Sequence, residues 1–495
     1  MKLFLGAAVL WGVLGSTGQA APALDDEAGM FGAPTPTGVA AEVSGSASVR
    51  DSGGLDTRTL GHDDFANGTV KVDPLEIGGT VFQQIYADFS AAAGPGSAPI
   101  SAPLQADLFL DARPNDRIRA YVDARLLYDS TKNAQGQAVG SGADPFASAL
   151  AGSSAAVSGT ASNPDVLLDQ AWISFDAQRT AFLTIGRQHV KWGTGHVWNP
   201  TDFLTTQAYN PLQPFDTRLG NDMVKAQVPL SGLKGTNVYA LALLDNPEPA
   251  SSVGQVGGAF RAETLLWGAE AGADAVARAG RTPEYGVDVS APLGPLDFYS
   301  EAAFISGGGF PDYSFAGLPA SGTGPVPLTS LVEVDTFQGP AVQADAGLSW
   351  DFPWKENRQA TVGAEYFYNE LGVSDSRLLP VLMEEGLYQG FYGGRNYGAL
   401  YLTAEGPDEG KKTNYSLTNI ANLSDASAVS RLDFTCLLLD YLTFGVWATV
   451  HYGTRGGELN FAFDSPAVTY QGEKIPAMDV PASPLELGMS LRLAY

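Results

Sequence analysis

Beyond its first twenty residues the chain has no run of about eighteen apolar residues, the length a membrane-spanning helix needs. Instead, segments of about ten residues recur in which every second side chain is apolar. In DRIRAYVDARLLYD, Ile118, Ala120, Val122, Ala124 and Leu126 share one face, while Arg117, Arg119, Asp123 and Arg125 share the other. In the closing LELGMSLRLAY, Leu485, Leu487, Met489, Leu491, Leu493 and Tyr495 face one way, and Glu486, Ser490 and Arg492 the other. A half-buried soluble strand rarely sets so much charge opposite so unbroken an apolar row, and the pattern suits lipid on one face and water on the other. Strands in a bilayer cannot leave an unpaired edge, so they must close on themselves. The fold class this predicts is all-β, a transmembrane antiparallel up-and-down β-barrel.

Short turns alternate with long connections. RPND at Arg113 to Asp116, AQRT at Ala177 to Thr180, SGLKG at Ser231 to Gly235, PLGP at Pro292 to Pro295, PWKEN at Pro353 to Asn357 and Asp440-Tyr441 are short. The connections Asp129 to Asp165, Lys191 to Asn221, Ser306 to Pro340, Leu371 to Asn396 and Thr454 to Pro484 are long. Short turns on one rim and long loops on the other are the asymmetry of barrels with periplasmic turns and extracellular loops. Strands are expected to start near 78, 103, 117, 166, 181, 222, 236, 258, 269, 284, 295, 341, 358, 397, 413, 428, 441 and 485. That makes about 18 strands, or 16 if Gly258 to Arg278 is one bulged strand and Thr413 to Leu423 is none.

Ahead of the barrel, Lys2, the apolar Leu3 to Leu14 and the small residues Gly18-Gln19-Ala20 read as a signal peptide over 1–20. Residues 21–74, low in large apolar side chains, read as a periplasmic N-terminal extension, either loosely ordered or a plug in the lumen. The barrel occupies 75–495. Cys436 is the only cysteine, so no disulfide framework exists, and 28 basic against 54 acidic residues, a net charge of −26, argue against a nucleic-acid partner. Enzyme signatures are missing too: the four histidines form no HExxH pattern and no serine sits in a GxSxG elbow. His189, His196 and Asp202 lack a recognised metal-ligand spacing. No catalytic residue, metal site or cofactor is expected.

Parity of the strands places Asp107, Asp111 and Arg113 beside Arg117, Arg119, Asp123 and Arg125 on the lumen face, an Arg/Asp ladder on strands about 5 Å apart. Two outcomes are open. The charges satisfy one another along the wall, or the arginines form one side of a constriction and face acids across the lumen, a transverse field that orients polar solutes. The candidate acids are Asp288, Asp297, Glu301, Asp345, Glu365 and Asp433. Acids outnumber bases, which predicts weak cation preference.

The longest aromatic-rich stretch without strand period is Leu183 to Asp222. It leaves a strand at Gly186 and gathers Arg187, Gln188, His189, Trp192, Trp198, Asn199, Asp202 and Phe203 with the paired Gly193 and Gly195 and the prolines Pro200, Pro211 and Pro214. Such a segment reads as a packed functional loop, folded into or over the barrel mouth. Trp192, Trp198 and Phe203 either stack on sugar rings, with Arg187, Asn199 and Asp202 as hydrogen-bonding partners, or anchor the loop to the inner wall. Arg187 shares parity with Leu183 and Ile185, so either a bulge at Gly186 re-aims it or the strand has left the hydrocarbon there.

GRQ at Gly186 to Gln188, WG at Trp192-Gly193 and NPTD at Asn199 to Asp202 resemble the signature of porin-like outer-membrane proteins and, more weakly, of alginate-export barrels. Tyr495, aromatic and ending an alternating strand, matches the signal that such proteins present to the barrel-assembly machinery. The resemblance implies a channel in the cell outer membrane, with membrane lipid and small polar solutes as its partners, and it leaves association with further copies of the chain open. Passive diffusion of small polar solutes is the function it implies first. Polysaccharide export or surface assembly is the alternative, and a closed barrel serving adhesion or complex assembly is a third reading of a different class.

Overall fold

The structure is a computed structural model. It describes residues 74–133 except 91–94, and 162–495 except 206, 208, 231–234, 247, 250–251, 316–331, 385–386, 409, 411, 466–467, 471–472 and 476–477. The expected signal peptide and the extension up to residue 73 lie outside the described residues.

Eighteen strands form one antiparallel sheet: β1 (Leu75–Phe89), β2 (Pro103–Asn115), β3 (Ile118–Asp129), β4 (Asp165–Ala177), β5 (Ala181–Gln188), β6 (Asn221–Pro229), β7 (Asn237–Leu243), β8 (Gly257–Leu266), β9 (Ala269–Ala277), β10 (Glu284–Leu293), β11 (Leu296–Ile305), β12 (Ala341–Lys355), β13 (Arg358–Asn369), β14 (Asn396–Glu405), β15 (Thr413–Asn422), β16 (Ser427–Leu439), β17 (Leu442–Gly453) and β18 (Leu485–Ala494). A two-residue piece, Ile100–Ser101, joins the same sheet beside β1. Each strand pairs with its sequence neighbour, and β18 closes on β1 from Thr80↔Ala494 to Phe89↔Leu485. The last residue completes the seam, since Gly79 N–H donates to the Tyr495 carbonyl at 3.0 Å and Tyr495 N–H to the Gly79 carbonyl at 3.1 Å. Closure leaves no strand edge to lipid.

Every expected strand start falls within three residues of an observed one, because parity and turn chemistry restrict the same boundaries. The doubtful pair resolves into β8 and β9, joined at Trp267-Gly268, whose positive φ values of 54° and 85° are those of a two-residue hairpin turn. Thr413–Asn422 is a full strand, so the count is 18 and not 16. One boundary changes a site assignment: β3 begins at Ile118, so Arg117 lies in the exposed periplasmic turn and not on the ladder.

Outward rows are apolar, as with Leu108, Leu110 and Val122, or Leu487, Met489 and Leu491, all exposed. Buried inward rows carry Asp111, Asp123, Arg125, Arg261, Asp288, Glu301, Asp345 and Glu365. Parity flips once inside β4. Gln170 pairs with Asp123 and Leu168 with Ala124, so Asp169 is an extra residue, and this bulge puts Asp169 and Gln170 both inward. Above the outer rim, α1 (Leu379–Glu384) packs through Leu379 on Phe461 and Val480 of the last long loop.

Candidate functional site

Strand β5 ends at Gln188, and residues 189–220 turn inward and cross the lumen before β6 begins. Apolar anchors fix the two flanks of this loop. Trp192 and Leu204 pack on Met223, Leu241, Leu243, Ala259 and Val276 of β6–β9. There Arg278, just past β9, donates to the Phe203 carbonyl at 2.9 Å and the Leu204 carbonyl at 3.1 Å. On the far side Trp198, fully buried, packs with Phe367, Tyr397, Ala399, Ile420 and Val429 of β13–β16. Its ring lies 5.6 Å from those of Phe367 and Tyr397, and its Nε1–H donates to the Phe391 carbonyl at 2.8 Å. Burying a Trp this completely is worth about 3–5 kcal/mol against truncation to Ala.

The returning limb meets the remaining arc of wall. Phe215 meets Phe82 of β1 edge-on at 4.8 Å, with the Arg492 guanidinium 5.9 Å from its ring. Arg125 of β3 donates to the Thr217 carbonyl at 2.6 Å. Asp169, the bulge residue of β4, accepts the Gly220 N–H through its carbonyl and meets His189 Nε2 through its carboxylate at 2.9 Å.

Between the flanks the loop is held by acids from β11–β13. Glu301 accepts the backbone N–H groups of Thr194 at 3.0 Å, Gly195 at 2.6 Å and Thr201 at 3.0 Å, together with the Thr201 hydroxyl. Glu365 accepts those of His196, Val197 and Trp198 at 2.8–3.2 Å and the Tyr299 hydroxyl at 2.8 Å. Hydrogen bonds to a charged acceptor are worth about 1.5–3 kcal/mol each, so two carboxylates are enough to fold the 194–201 segment back on itself. The glycines of the WGTG run are sterically required. A Cβ at Gly193, where φ is +95°, would come within 2.1 Å of Asn199 Oδ1, and one at Gly195 within 1.8 Å of the Trp198 carbonyl.

An apolar exterior, a polar lumen, long loops on one rim and a loop bolted across the bore are now in place. The chain is a multi-pass outer-membrane β-barrel. In comparisons of structure it is similar to OprB of Pseudomonas putida (10% identity, TM-score 0.42, covering 89% of this chain and 96% of that one). OccAB3 of Acinetobacter baumannii (9% identity, TM-score 0.46, 86% and 100%) and OmpT of Vibrio cholerae, described as an outer membrane protein in trimer form (10% identity, TM-score 0.36, 86% and 100%), are also similar to it. No family model and no curated protein matches the sequence.

Within the barrel the ladder residues meet one another. Arg113 and Arg119 both reach Asp111, at 2.9 and 3.0 Å, and Arg119 also lies 5.4 Å from the Trp172 ring centroid. Arg125 sits between Asp107 at 2.9 Å and Asp169 at 2.8 Å. Asp123 accepts the Tyr121 hydroxyl at 3.3 Å, and Asp433 pairs with Arg431 at 2.8 Å on its own strand. These guanidinium groups therefore bind acids of their own wall instead of facing a distant acidic arc. Asp345 and Glu365, expected to line the channel, do point inward, but they are only 2% and 3% exposed because the loop covers them. That is a correction to their role: they meet the loop and not open water.

The loop residues are corrected in the same way. Trp192 and Trp198 are buried against the wall and Phe203 is packed beside Trp192, which takes these ring faces from any solute. Asp202 pairs with Arg218 at 3.0 Å. His189 and His196 are separated: His189 meets Asp169, while the His196 ring lies 4.6 Å from Tyr299 and 5.7 Å from Tyr401. Enclosure by those walls, with the charge of Lys191, pulls the His196 imidazole down to about 4. Arg187 keeps its outward parity with no shift of register, and at the outer end of β5 it bridges to Asp222 at 2.6 Å and donates to the Leu168 carbonyl at 3.1 Å. Gln188 is buried, its Nε2–H reaching the Gly186 carbonyl at 3.4 Å, and the Asn199 amide makes no hydrogen bond among the described residues.

Four residues that pattern reading passed over hold the loop. Asp169 was hidden by its bulge, for which the signal is the switch of apolar parity from Val166 and Leu168 to Ala171, Ile173 and Phe175. Arg218 joins Asp202 to Asp216 at 3.0 and 2.6 Å; burial opposes its charge, but the two acids outweigh that and hold its pKa above the ordinary range. Arg278 is the third. Glu458, in the last outer loop, accepts the Tyr388 hydroxyl at 3.1 Å, the Phe391 N–H at 3.0 Å, the Asn422 amide at 2.6 Å and the Tyr397 hydroxyl. It thereby locks that loop over the Trp198 anchor.

Proposed function

We propose that this barrel is a passive channel for small polar solutes, with an aperture set by the loop 189–220. The observation that carries the reading is the anchorage of one loop to β6–β9, β11–β16 and the β1–β4 arc, which places fixed protein across a polar lumen. Barrels of this strand number have room for an aqueous path, so a cross-lumen loop governs which solutes pass. The ladder arginines are matched by neighbouring acids, and the net charge of −26 leaves acids in excess, which supports a weak preference for cations. Purified, refolded protein in a planar bilayer should give steady ohmic steps, with a reversal potential of cation-selective sign in a potassium chloride gradient. An anion-selective sign would refute the charge argument. A second reading is favoured by how far round the wall the loop is attached: a barrel closed at rest that serves export or surface assembly. Silence from protein proven to be folded would favour that one.

A further inference from the structure

The acids of β11–β13 leave one group without a partner. Glu301, Asp345 and Glu365 stand on three neighbouring strands, with Glu301 directly opposite Asp345 and Glu365 opposite Gly347, two residues further along the strand. All three are at most 3% exposed. Glu301 and Glu365 are supplied with backbone N–H and hydroxyl donors and are therefore built to carry charge. Asp345 lies between them, and neither of its carboxyl oxygens has a hydrogen-bond partner among the described residues. A Cβ at Gly195 would stand 2.9 Å from both Asp345 Oδ2 and Glu301 Oε1, so the loop backbone seals the group from the lumen. Three carboxylates cannot share one dry pocket as three anions without a proton or a cation between them.

We propose that Asp345 holds a proton, and that this proton is the catch that keeps the loop seated across the lumen. The proposal rests on the reading of the loop as the constriction. Loss of the proton to lumen water places a third negative charge between the two clamps. The cheapest relief is for the 194–201 segment to lift and admit water, which widens the path at alkaline pH.

Other groups around the catch constrain this account. From the loop, Lys191, His196 and Tyr209 face the acids; Asp288 of β10, Tyr299 of β11, Tyr401 of β14 and Tyr392 of the outer loop complete the surroundings. His196, at about 4, is already neutral at neutral pH. Burial lowers the Lys191 amine, which makes it the rival titrating group.

Two readouts test the catch in liposome-reconstituted full-length protein from pH 6 to 9.5: trypsin cleavage after Lys191 and Arg218, and single-channel conductance. A one-proton release raises the open population about tenfold per pH unit below its midpoint, so cleavage should accelerate by that slope and conductance should rise reversibly with it. Asp345→Asn, neutral at every pH, should stay resistant and narrow throughout. Glu365→Gln, which takes one flanking charge out of the pocket so that a charged Asp345 is tolerated, should also lose the response and serves if the first variant does not fold. Lys191→Met, scored by cleavage after Arg218, should keep it. The proposal is overturned by pH-independent wild-type protein, by an unchanged response in Asp345→Asn, or by loss of the response in Lys191→Met. Calcium reproducing the behaviour at fixed pH would also overturn it, in favour of a bound cation. Cleavage that follows the predicted pH slope in a protein silent in the bilayer would uphold the catch and refute the channel.

Discussion

Two arcs of the same barrel wall neutralise buried charge in opposite ways. On β2–β4 Asp107, Asp111 and Asp169 are each met by a guanidinium within the wall, so Asp107, Arg125 and Asp169 form a chain that persists whatever crosses the lumen. On β11–β13 Glu301 and Glu365 are met by the backbone N–H groups of a loop, so that wall is complete only while the loop is seated. The first arrangement makes a rigid, nearly neutral surface. The second makes a fastening. Arginine and backbone amide both satisfy a carboxylate, but only the amide belongs to a segment that can leave.

Experiments on each arc sharpen or break this contrast. The largest change is expected from deleting residues 194–214, which should raise single-channel conductance severalfold because the fastened segment is gone; a folded deletion variant with unaltered conductance would end the constriction model. Next comes Arg125→Met, which strands Asp107 and Asp169 and should cost about 3–5 kcal/mol in denaturant melts, with little effect on the seating of the 194–201 segment. If that segment instead becomes protease-sensitive, the two arcs are not independent.

A smaller effect concerns the outer lock. Burial pushes Glu458 up to about 7. A carboxyl raised on folding contributes stability that is fully present below its unfolded value and is lost as pH rises through the folded one. The docked outer loop should therefore weaken by up to about 3 kcal/mol between pH 4.5 and 7. Proteolysis of the 454–463 segment across that range should detect it, and Glu458→Gln should flatten the curve. The smallest effect belongs to the rim pair: Arg187→Ala removes a partly exposed bridge to Asp222 and should shift stability by no more than about 1 kcal/mol in the same melts.

Much of the fold was legible because a bilayer imposes a two-residue period and a fixed strand length, and both are written locally. The seam strand ending in Tyr495 could be placed from neighbouring residues alone, whereas the hairpin at Trp267-Gly268 was settled only by the structure. The loop was legible as a loop from its aromatics and broken period. Its fastening was not, because Glu301 lies about a hundred residues from Gly195, and Glu365 lies further still from Trp198. Parity also failed at Asp169, where one inserted residue reverses which side chains face inward.

The sequence by itself determined that the chain closes into a lipid-facing barrel of 18 or 16 strands and which segment departs from the wall, since each follows from local period and turn chemistry. Only the tertiary structure decided that the tryptophans are anchors with no free face for a solute, that the ladder arginines are matched within their own wall, and that three acids from separate strands meet over one loop. Those outcomes depend on which side chains closure of the barrel brings face to face across the lumen, a distance that no local period encodes.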